Sequence, residues 1–292
     1  MNDRQTQSEV PVYEDSIASY DTVPFAAGGG TNASRLIRAH THYGVEIGTT
    51  VEGRGKMYLN GRELEMGPGD VYFVDASIPH WHYGADDTVF SHCWVCAPLT
   101  AVVSPWPAKP DLRLYLPFVA LRHGLGPIIR GAKTLASHVR EIHRLHVERP
   151  EDWDLLAWPR VVWALGSIYR ATKPVFERLR CPLAPQVLLS VMPAVEHVNR
   201  HFTEALTVKD LARLCNLSVS RFSHLFTEAM GVSPIQYRNQ LRINYAIERL
   251  TNTADALPTI AAESGFQSVS QFRDSFQRIT GSPPGAFRKR MA

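Results

Sequence analysis

The 292-residue chain has few cysteines, little net charge and no long apolar run. Four cysteines are too few for the dense disulfide framework of a small secreted protein. No apolar run approaches the roughly 20 residues of a membrane-spanning helix. Residues 1–20 also lack the apolar core of a signal peptide. The sequence therefore predicts a cytoplasmic protein with no membrane partner.

Two of the cysteines, Cys93 and Cys96, form a CxxC motif within a strand-like run. Side chains alternate between the two faces of a strand, so residues three apart point to opposite faces. This arrangement disfavours a shared metal ion or a redox pair. The pattern therefore favours two buried thiols.

The net charge of +3 is unevenly distributed along the chain. Residues 1–185 hold 19 basic and 20 acidic side chains, a net charge of −1, whereas residues 186–292 hold 12 and 8, a net charge of +4. A basic excess is what a surface that binds phosphates requires. The C-terminal third is therefore the candidate nucleic-acid-binding region.

One motif occurs twice in that third, at an offset of fifty residues. Ser218 to Phe226 reads SVSRFSHLF, and Ser268 to Phe276 reads SVSQFRDSF. The correspondence continues to Tyr237-Arg238 and Phe287-Arg288. A repeat that keeps one offset over this length indicates that one supersecondary unit occurs twice.

Each copy has the signals of a helix, a tight turn and a second helix. In the first copy Thr207 with an acid three residues later begins a helix, and Asn216 can take the left-handed conformation that ends it. Ser218 can then cap the second helix. In the second copy Gly265 and Ser268 have the same roles. Apolar spacing over residues 235–250 predicts one long helix that connects the two units.

A pair of helix-turn-helix units predicts DNA binding, with the second helix of each unit in the major groove. Residues 191–290 resemble the DNA-binding domain of the arabinose-regulator (AraC/XylS) family of bacterial transcription factors. The matching features are His201-Phe202, Leu206-Thr207, Leu211-Ala212, the two Ser-x-Ser-x-Phe helices, Gly231, Ser233-Pro234, Ile260-Ala261, Gly265-Phe266 and Pro284. The resemblance implies a regulator of promoter DNA, and RNA polymerase is a candidate further partner.

The resemblance also implies which residues of this chain contact bases and which contact phosphates. The implied DNA-binding residues are Ser220, Arg221, Ser223, His224, Ser270, Gln271, Arg273, Asp274 and Arg278. Gln271 is suited to adenine, and Arg221 or His224 to guanine. Asp274 occupies a position where the family often has arginine, so the second unit is expected to contribute less to specificity. We expect Arg273, Arg278, Arg288 and Lys289 to contact phosphate or solvent.

Residues 35–98 have a different pattern, with short strand-like runs separated by turns. Asn60-Gly61 is a strong hairpin signal, and Gly67 to Asp70 forms a second turn. Several short strands with regularly spaced turns predict an antiparallel barrel or a jelly roll.

The histidines of this region resemble the motifs of the cupin family. The first motif is His40, His42 and Glu46 followed by Gly55, and the second is Gly67 to Asp70 followed by Pro79-His80. In metal-binding cupins the positions of His40, His42, Glu46 and His80 are ligands, a donor set that suits zinc, iron, nickel or manganese. The spacing from Glu46 to Gly55 is longer than in that pattern, and the final Asn of the second motif is not apparent. Three uses therefore stay open: a divalent metal, an organic ligand, or a structural role.

An organic ligand would have imidazoles and aromatic faces around it, as a sugar-like molecule requires. The candidate ligand-binding residues are Arg38, His40, His42, Glu46, Tyr72, His80, Trp81, His82 and Trp94. The same aromatic side chains would equally fill the core of a barrel.

The remaining segments complete a predicted division of the chain. We expect a flexible arm over residues 1–34, the barrel over 35–125, a helical region that packs on the barrel or forms a dimer over 126–171, a linker over 172–185, and the DNA-binding domain over 186–292. The helical region has apolar stripes over residues 133–148 and 152–171. The predicted fold is an all-β cupin-like barrel with added helices, followed by an all-α domain of two helix-turn-helix units.

These patterns together predict a homodimeric, ligand-responsive transcription regulator of the bacterial cytoplasm, associated with the nucleoid when bound to DNA. It would need no cofactor and would not be an enzyme. A metal-sensing regulator is one alternative, and its DNA binding would respond to metal rather than to an organic effector. A metal-dependent cupin enzyme is the other, but it leaves the duplicated helix-turn-helix unexplained.

Overall fold

The computed structural model describes residues 25–33, 44–59, 62–75, 78, 80–85, 89–98, 101–102, 112–121, 124–178 and 185–291. Residues 1–24 of the predicted arm and the candidate ligands Arg38, His40 and His42 lie outside these ranges. Within the described ranges, no helix is long and apolar enough to cross a membrane.

The described part of the N-terminal half contains eight antiparallel strands in two sheets. The strands are β1 Ala26–Ala33, β2 Gly44–Glu52, β3 Gly55–Leu59, β4 Arg62–Met66, β5 Val71–Val74, β6 His80–Gly84, β7 Val89–Pro98 and β8 Ile128–Ile129. One sheet has the order β1-β7-β2-β5-β8, and the other has the order β4-β3-β6. The predicted strand-rich, cupin-like domain is confirmed.

Strand β1 corrects the assignment of residues 26–33 to a flexible arm, because all eight of its residues pair with β7. The glycines of this segment serve close packing rather than flexibility. A Cβ on Gly28 would lie 2.2 Å from the ring of Trp94, and a Cβ on Gly29 would lie 2.8 Å from the carbonyl oxygen of His92. Only glycine lets this strand approach β7 so closely.

The turn at Gly67 to Asp70 follows its sequence signal, whereas Asn60-Gly61 lies outside the described ranges. The amide of Asp70 donates to the carbonyl of Gly67 at 3.0 Å, and the Asp70 carboxylate accepts from the amides of Gly67 and Gly131 and from Arg130. Burial alone would raise the pKa of Asp70, but these hydrogen bonds outweigh it and the pKa is lowered. The carboxylate therefore ties this turn to the segment that precedes the next long helix.

The helices described around the barrel include a 3₁₀ turn at Leu112–Leu114 and three longer helices. They are α1 Leu116–Leu121, α2 Lys133–Glu148 and α3 Trp153–Arg178. The bounds of α2 match the predicted stripe. Helix α3 passes through Pro159 and Pro174 and ends at Arg178, so residues 172–178 of the predicted linker are helical. Its buried side chains continue past Pro159 from Ala157 to Ile168, and this packing outweighs the backbone hydrogen bond that this proline cannot form.

Helix α2 covers the outer face of the larger sheet, against β1, β2 and β7. The register shows the two faces of β7, because Cys93 lies opposite Thr49 while Cys96 lies opposite Glu46. The two thiols therefore point to opposite faces, as predicted. Both are buried, and burial raises the pKa of the Cys93 thiol to about 12.

The C-terminal part is all-helical and contains both predicted units. The helices are α4 Pro185–His201, α5 Val208–Leu214, α6 Val219–Met230, α7 Pro234–Asn252, α8 Leu257–Glu263, α9 Val269–Thr280 and α10 Pro284–Met291. Helices α5 and α6 form the first helix-turn-helix unit, α8 and α9 form the second, and α7 connects them. The apolar core of the second unit is separate from the core that runs from the barrel to the first unit.

Candidate DNA interface and barrel interior

The first helix-turn-helix unit folds around local capping signals. The Thr207 hydroxyl accepts from the amide of Asp210 at 3.1 Å and begins α5. Asn216 has φ 54° and turns the chain toward Ser218, whose hydroxyl accepts from the amide of Arg221 at 3.3 Å. These contacts set the angle between α5 and α6, and so the direction in which α6 presents its polar face.

Helix α6 buries one side and exposes the predicted DNA-reading side. Phe222 and Phe226 are buried, whereas Ser220, Arg221 and His224 are exposed and Ser223 is partly exposed. The Ser223 hydroxyl donates to the carbonyl of Val219 at 2.8 Å. His224 lies 3.7 Å from Glu228, with 70% of its side chain exposed. The structure thus brings all four predicted residues of this helix to one accessible surface.

Helix α9 repeats this arrangement with a different polar face. The Ser268 hydroxyl accepts from the amide of Gln271 at 3.2 Å, and Phe272 and Phe276 are buried. The predicted residues on the exposed side are Ser270, Gln271, Arg273, Asp274 and Arg278. The Gln271 side chain accepts from the amide of Gln267 at 3.4 Å, a contact long enough to be exchanged for a base.

In both units, arginine side chains donate hydrogen bonds to backbone carbonyls. Arg238 donates to the carbonyl of Leu206 at 2.6 Å. Its repeat counterpart, Arg288, donates to the carbonyls of Leu250 at 3.2 Å and Asp255 at 2.7 Å. The expectation that Arg288 contacts phosphate or solvent was wrong, because its guanidinium is half-buried and joins helix ends within the second unit. Sequence reasoning grouped it with Lys289, which is exposed.

A third arginine, Arg242, is buried beneath the first unit. Its Nε donates to the carbonyl of Phe202 at 2.7 Å, and its Nη2 donates to the carbonyl of Glu204 at 2.8 Å. Burial, with the neighbouring charge of Arg238, lowers the pKa of Arg242 to about 10. These backbone contacts join α7 to the end of α4.

The inner face of the barrel carries a polar cluster centred on Glu46. The Tyr72 hydroxyl donates to the Glu46 carboxylate at 2.7 Å, and His80 Nε2 lies 3.5 Å from the same oxygen. His80 Nδ1 lies 3.0 Å from the carbonyl of Ile78, so this nitrogen carries a hydrogen. All three side chains are buried.

Two further imidazoles extend this cluster. The ring of His82 lies 4.5 Å from that of Tyr72, 5.7 Å from that of His80 and 5.1 Å from that of His92. Sequence reasoning missed His92. The available signal was its place two residues before Trp94 on one strand, which puts both side chains on the same face.

Glycine positions make room for the large inner side chains. A Cβ on Gly48 would lie 2.1 Å from the Tyr72 ring, so the tyrosine occupies the space above Gly48. Trp94 fills the space above Gly28 in the same way and is partly buried. The hydroxyl of Thr50, opposite His92, is buried and has no hydrogen-bond partner among the described residues. A buried hydroxyl of this kind can serve a polar ligand.

The predicted metal site is represented here by Glu46 and His80 alone. Within the described part of the chain, no group of three or more histidine, cysteine or acidic side chains could hold a metal ion. Glu46 and His80 are close enough for one ion to bind both, while His40 and His42 lie outside the described ranges. Trp81 lies on β6, and only its backbone is described. We name the members described here, Glu46, Thr50, Tyr72, His80, His82 and His92, the inner polar cluster.

Comparison with known proteins relates both parts of the chain to transcription regulators. A model of the cupin domain family matches residues 27–96, and a model of the helix-turn-helix domain family matches residues 211–290. The arabinose operon regulatory protein of Salmonella typhimurium is 23% identical over 248 residues, 84% of this chain and 83% of the relative. Its Escherichia coli counterpart is 23% identical over 247 residues, 84% and 80% of the two chains. These matches agree with the predicted resemblance to the arabinose-regulator (AraC/XylS) family.

Solved structures show the same two-domain fold as this chain. The structure of ToxT from Vibrio cholerae with a bound unsaturated fatty acid is one of these. The match covers 90% of this chain and 94% of ToxT, with a TM-score of 0.53 and 15% sequence identity. The match to ToxT from Vibrio cholerae O395 covers 92% of this chain and 98% of ToxT, with a TM-score of 0.51 and 14% sequence identity. The strand-rich half and the two helix-turn-helix units of the regulator therefore occur together in a known architecture.

Proposed function

We propose that this protein is a transcription regulator that binds promoter DNA through α6 and α9 and senses a small polar ligand in its barrel. The observation that carries the proposal is the pair of capped helices with buried phenylalanines on one side and exposed polar residues on the other. Two such helices would enter successive major-groove segments about 34 Å apart. The relatives named above are regulators, and we assign no catalytic role.

The two helices differ in the chemistry of their exposed side. Helix α6 offers donors and cations in Arg221 and His224, which suit the acceptors of guanine. Helix α9 offers Gln271, which suits adenine, and Asp274, which can only accept. We propose that the first unit supplies most of the base specificity. Arg273 and Arg278 would contact phosphates.

DNA binding by the full chain is tested by fluorescence anisotropy across a range of salt concentrations. A sequence enriched from a random pool should bind, and the logarithm of its affinity should fall linearly with the logarithm of the salt concentration. The double variant Arg221→Ala/His224→Ala should lose preference for that sequence while it retains binding to random DNA. A folded chain with no affinity for any duplex at low salt would exclude the proposed function.

The ligand would bind at the inner polar cluster. A buried carboxylate, a phenol, three imidazoles and the buried Thr50 hydroxyl form a polar surface, which suits hydroxyl-rich molecules better than hydrocarbon chains. The Salmonella and E. coli relatives are named as arabinose operon regulators, whereas one ToxT structure holds an unsaturated fatty acid. The polar interior favours a sugar-like ligand for this chain.

A thermal-shift screen of sugars, polyols and fatty acids tests this assignment. A ligand at 100 times its dissociation constant stabilises the folded state by about 2.7 kcal/mol. The variant Glu46→Gln keeps the shape of the side chain and removes its charge, so it should weaken a sugar hit. Stabilisation by a fatty acid alone, unaffected by Glu46→Gln, would reject the polar-ligand assignment.

A metal-sensing regulator is the second candidate, because Glu46 and His80 lie 3.5 Å apart in the barrel. Divalent metal salts in the same screen distinguish it. Metal-dependent DNA binding that is lost in His42→Ala and His80→Ala would favour this reading over an organic effector.

We also propose that the regulator forms a homodimer through α3. Leu155, Leu156 and Trp163 are exposed on this helix at 69%, 46% and 39%. Such large apolar side chains on one helix suit a symmetric contact with a second copy. Sedimentation of the full chain should show a dimer, and Leu155→Lys/Trp163→Lys should give a monomer. We further propose that the regulator acts in the bacterial cytoplasm and contacts RNA polymerase at its promoters.

A further inference from the structure

A cleft lies between α3 and the 3₁₀ turn that precedes α1. Across it, Arg113 and Leu114 of the turn face Trp163, Gly166 and Arg170 of the helix. The volume of the cleft is about 410 Å³, within the range of pockets that hold small organic molecules. Its lining includes no member of the inner polar cluster. The cleft is therefore separate from the ligand site proposed in the barrel.

Gly166 gives the cleft part of its depth. A glycine inside a helix is destabilising by about 1 kcal/mol relative to alanine, and Gly166 lies near the middle of α3. Among the described residues, a Cβ added here would meet only a side-chain carbon of Leu114, at 3.9 Å, which is an ordinary contact. Packing within the protein therefore does not require glycine at this position. A larger side chain would instead fill the open space of the cleft.

Trp163 offers an aromatic surface to the cleft. Its ring stacks on the imidazole of His138, with ring centroids 4.0 Å apart and an angle of 28° between the planes. The imidazole covers one face of the indole, and 39% of the residue is exposed. The uncovered part of the ring lines the cleft, beside the apolar side chains of Leu114 and Val162. A flat aromatic molecule can pack against this surface.

The opening of the cleft is cationic. Arg113 and Arg170 are both exposed, one on the turn and one on the helix. The described lining includes no acidic side chain that would compete for them. A guanidinium binds a carboxylate through two parallel hydrogen bonds and stays charged at any physiological pH. Two guanidinium groups at one opening therefore favour an anion over a neutral molecule.

We propose that this cleft binds a small aromatic carboxylate, with its ring against Trp163 and its carboxylate on Arg113 and Arg170. The apolar lining between the two arginines suits an aromatic body better than a sugar, which matches the inner polar cluster instead. The chain thus has two ligand sites of different chemistry, one inside the barrel and one between α3 and the turn. The binding itself requires no DNA, so this inference does not rest on the proposed DNA-binding function.

The first test compares a charged ligand with its neutral counterpart, by calorimetric titration of the full chain without DNA. The probe is indole-3-acetate, and indole-3-acetamide has the same ring system without the charge. The acetate should bind, and the acetamide should bind about tenfold or more weakly, because it cannot pair with a guanidinium. No heat of binding from the acetate at millimolar concentration, or equal affinity for the two compounds, would overturn the inference while the proposed function stands.

The second test locates the probe with a matched pair of charge variants. Arg170→Gln should weaken binding of indole-3-acetate by about tenfold or more, since it removes one guanidinium of the opening. Arg178→Gln is the control, because Arg178 is exposed on the same helix but does not line the cleft. It should change the affinity by less than about twofold, since an exposed charge at this distance is largely screened. Equal losses in the two variants would show a general effect of charge and would overturn the site.

Two further variants separate the cleft from the barrel. Gly166→Leu should abolish binding of indole-3-acetate by filling the cleft, whereas Glu46→Gln should leave it unchanged. Binding that is lost in Glu46→Gln and retained in Gly166→Leu would place the probe in the barrel and overturn the inference. If Gly166→Leu fails to fold, Gly166→Ala replaces it. The alanine variant should weaken binding while it raises the thermal unfolding temperature, because the helix gains from losing a glycine.

Discussion

At the scale of single residues, the two recognition helices differ at their centres, where α6 has the imidazole of His224 and α9 has the carboxyl group of Asp274. His224→Ala should relax the preference at one base pair and cost about 1–3 kcal/mol at the enriched sequence. Asp274→Ala should leave affinity unchanged or raise it, because a carboxylate beside phosphates loses water without gaining a partner. Competition with single-base variants of the enriched duplex measures both. A tenfold loss for Asp274→Ala at one cytosine-containing site would show that Asp274 reads that base.

Gly48 is a second residue at which one added carbon atom should change ligand binding. A Cβ there would lie 2.1 Å from the Tyr72 ring, so Gly48→Ala must push the tyrosine away from Glu46. We expect the thermal shift by ligand to be lost while DNA binding is retained. Gly67→Ala is the matched control, because no atom of the described residues lies within 4 Å of its Cβ position. A full ligand response in Gly48→Ala would place the ligand away from the inner polar cluster.

At the scale of elements, an aromatic cluster anchors the start of β1 to α2 and α3. The ring of Phe25 lies 6.0 Å from that of His146 and 6.3 Å from that of Trp158. Burial, with the charge of Arg149 and the neighbouring His143, lowers the pKa of His146 to about 4. The neutral imidazole is therefore the form that the packed cluster accepts.

This shift predicts how stability depends on pH. The pKa of His146 is near 6.5 in the unfolded chain and lower in the folded one, so the unfolded state binds more protons between these values. The neutral His146 therefore contributes to the stability of the folded state above pH 6.5, and this contribution is lost as the pH falls toward about 4. Urea midpoints of the wild type should fall over this window. His146→Phe keeps an aromatic ring and should show a smaller fall; an equal fall would assign the effect to other groups.

The helix ends of the second unit depend on Arg288. Arg288→Ala leaves the carbonyls of Leu250 and Asp255 without this donor and should cost about 1–3 kcal/mol. Lys289→Ala, at the exposed neighbour, should change stability by less than about 0.5 kcal/mol. Thermal unfolding measures the difference. Loss of DNA affinity by Arg288→Ala without any loss of stability would restore its assignment as a phosphate contact.

These elements also show what the sequence could predict. Caps at Thr207, Ser218 and Ser268 are local signals, so the helices of both units followed from neighbouring residues. The roles of Gly28 and Arg288 depend on partners more than thirty residues away, on Trp94 and on the carbonyls of Leu250 and Asp255. Without those partners Gly28 looked like a flexible break and Arg288 looked like a surface cation.

Some members of the inner polar cluster could also be identified from the sequence, and others could not. Glu46 and His80 could be chosen because they match a family motif, and Tyr72 because it lies on a predicted strand. His92 could have been placed beside Trp94 by strand alternation, but Thr50 needed the pairing of β2 with β7, which places it opposite His92. Strand register is a property of the folded sheet, so the sequence alone could not identify Thr50.

At the scale of the whole molecule, α7 is shared by both apolar cores. Tyr237 and Leu241 belong to the core that reaches the barrel, and Ile243 and Ile247 belong to the core of the second unit. One continuous helix therefore sets the rotation of one unit relative to the other. Each helical residue adds about 100° of rotation and 1.5 Å of length.

Insertions into α7 should therefore change DNA binding by rotating α9 relative to α6, rather than by removing contacts. One alanine inserted after Arg242 would turn α9 by about 100° and point it away from the groove that follows the one occupied by α6. Seven inserted residues would restore the angle to within about 20° while adding about 10 Å of length. Natural variants of this chain should consequently tolerate many substitutions on the exposed side of α7 but almost no change in its length.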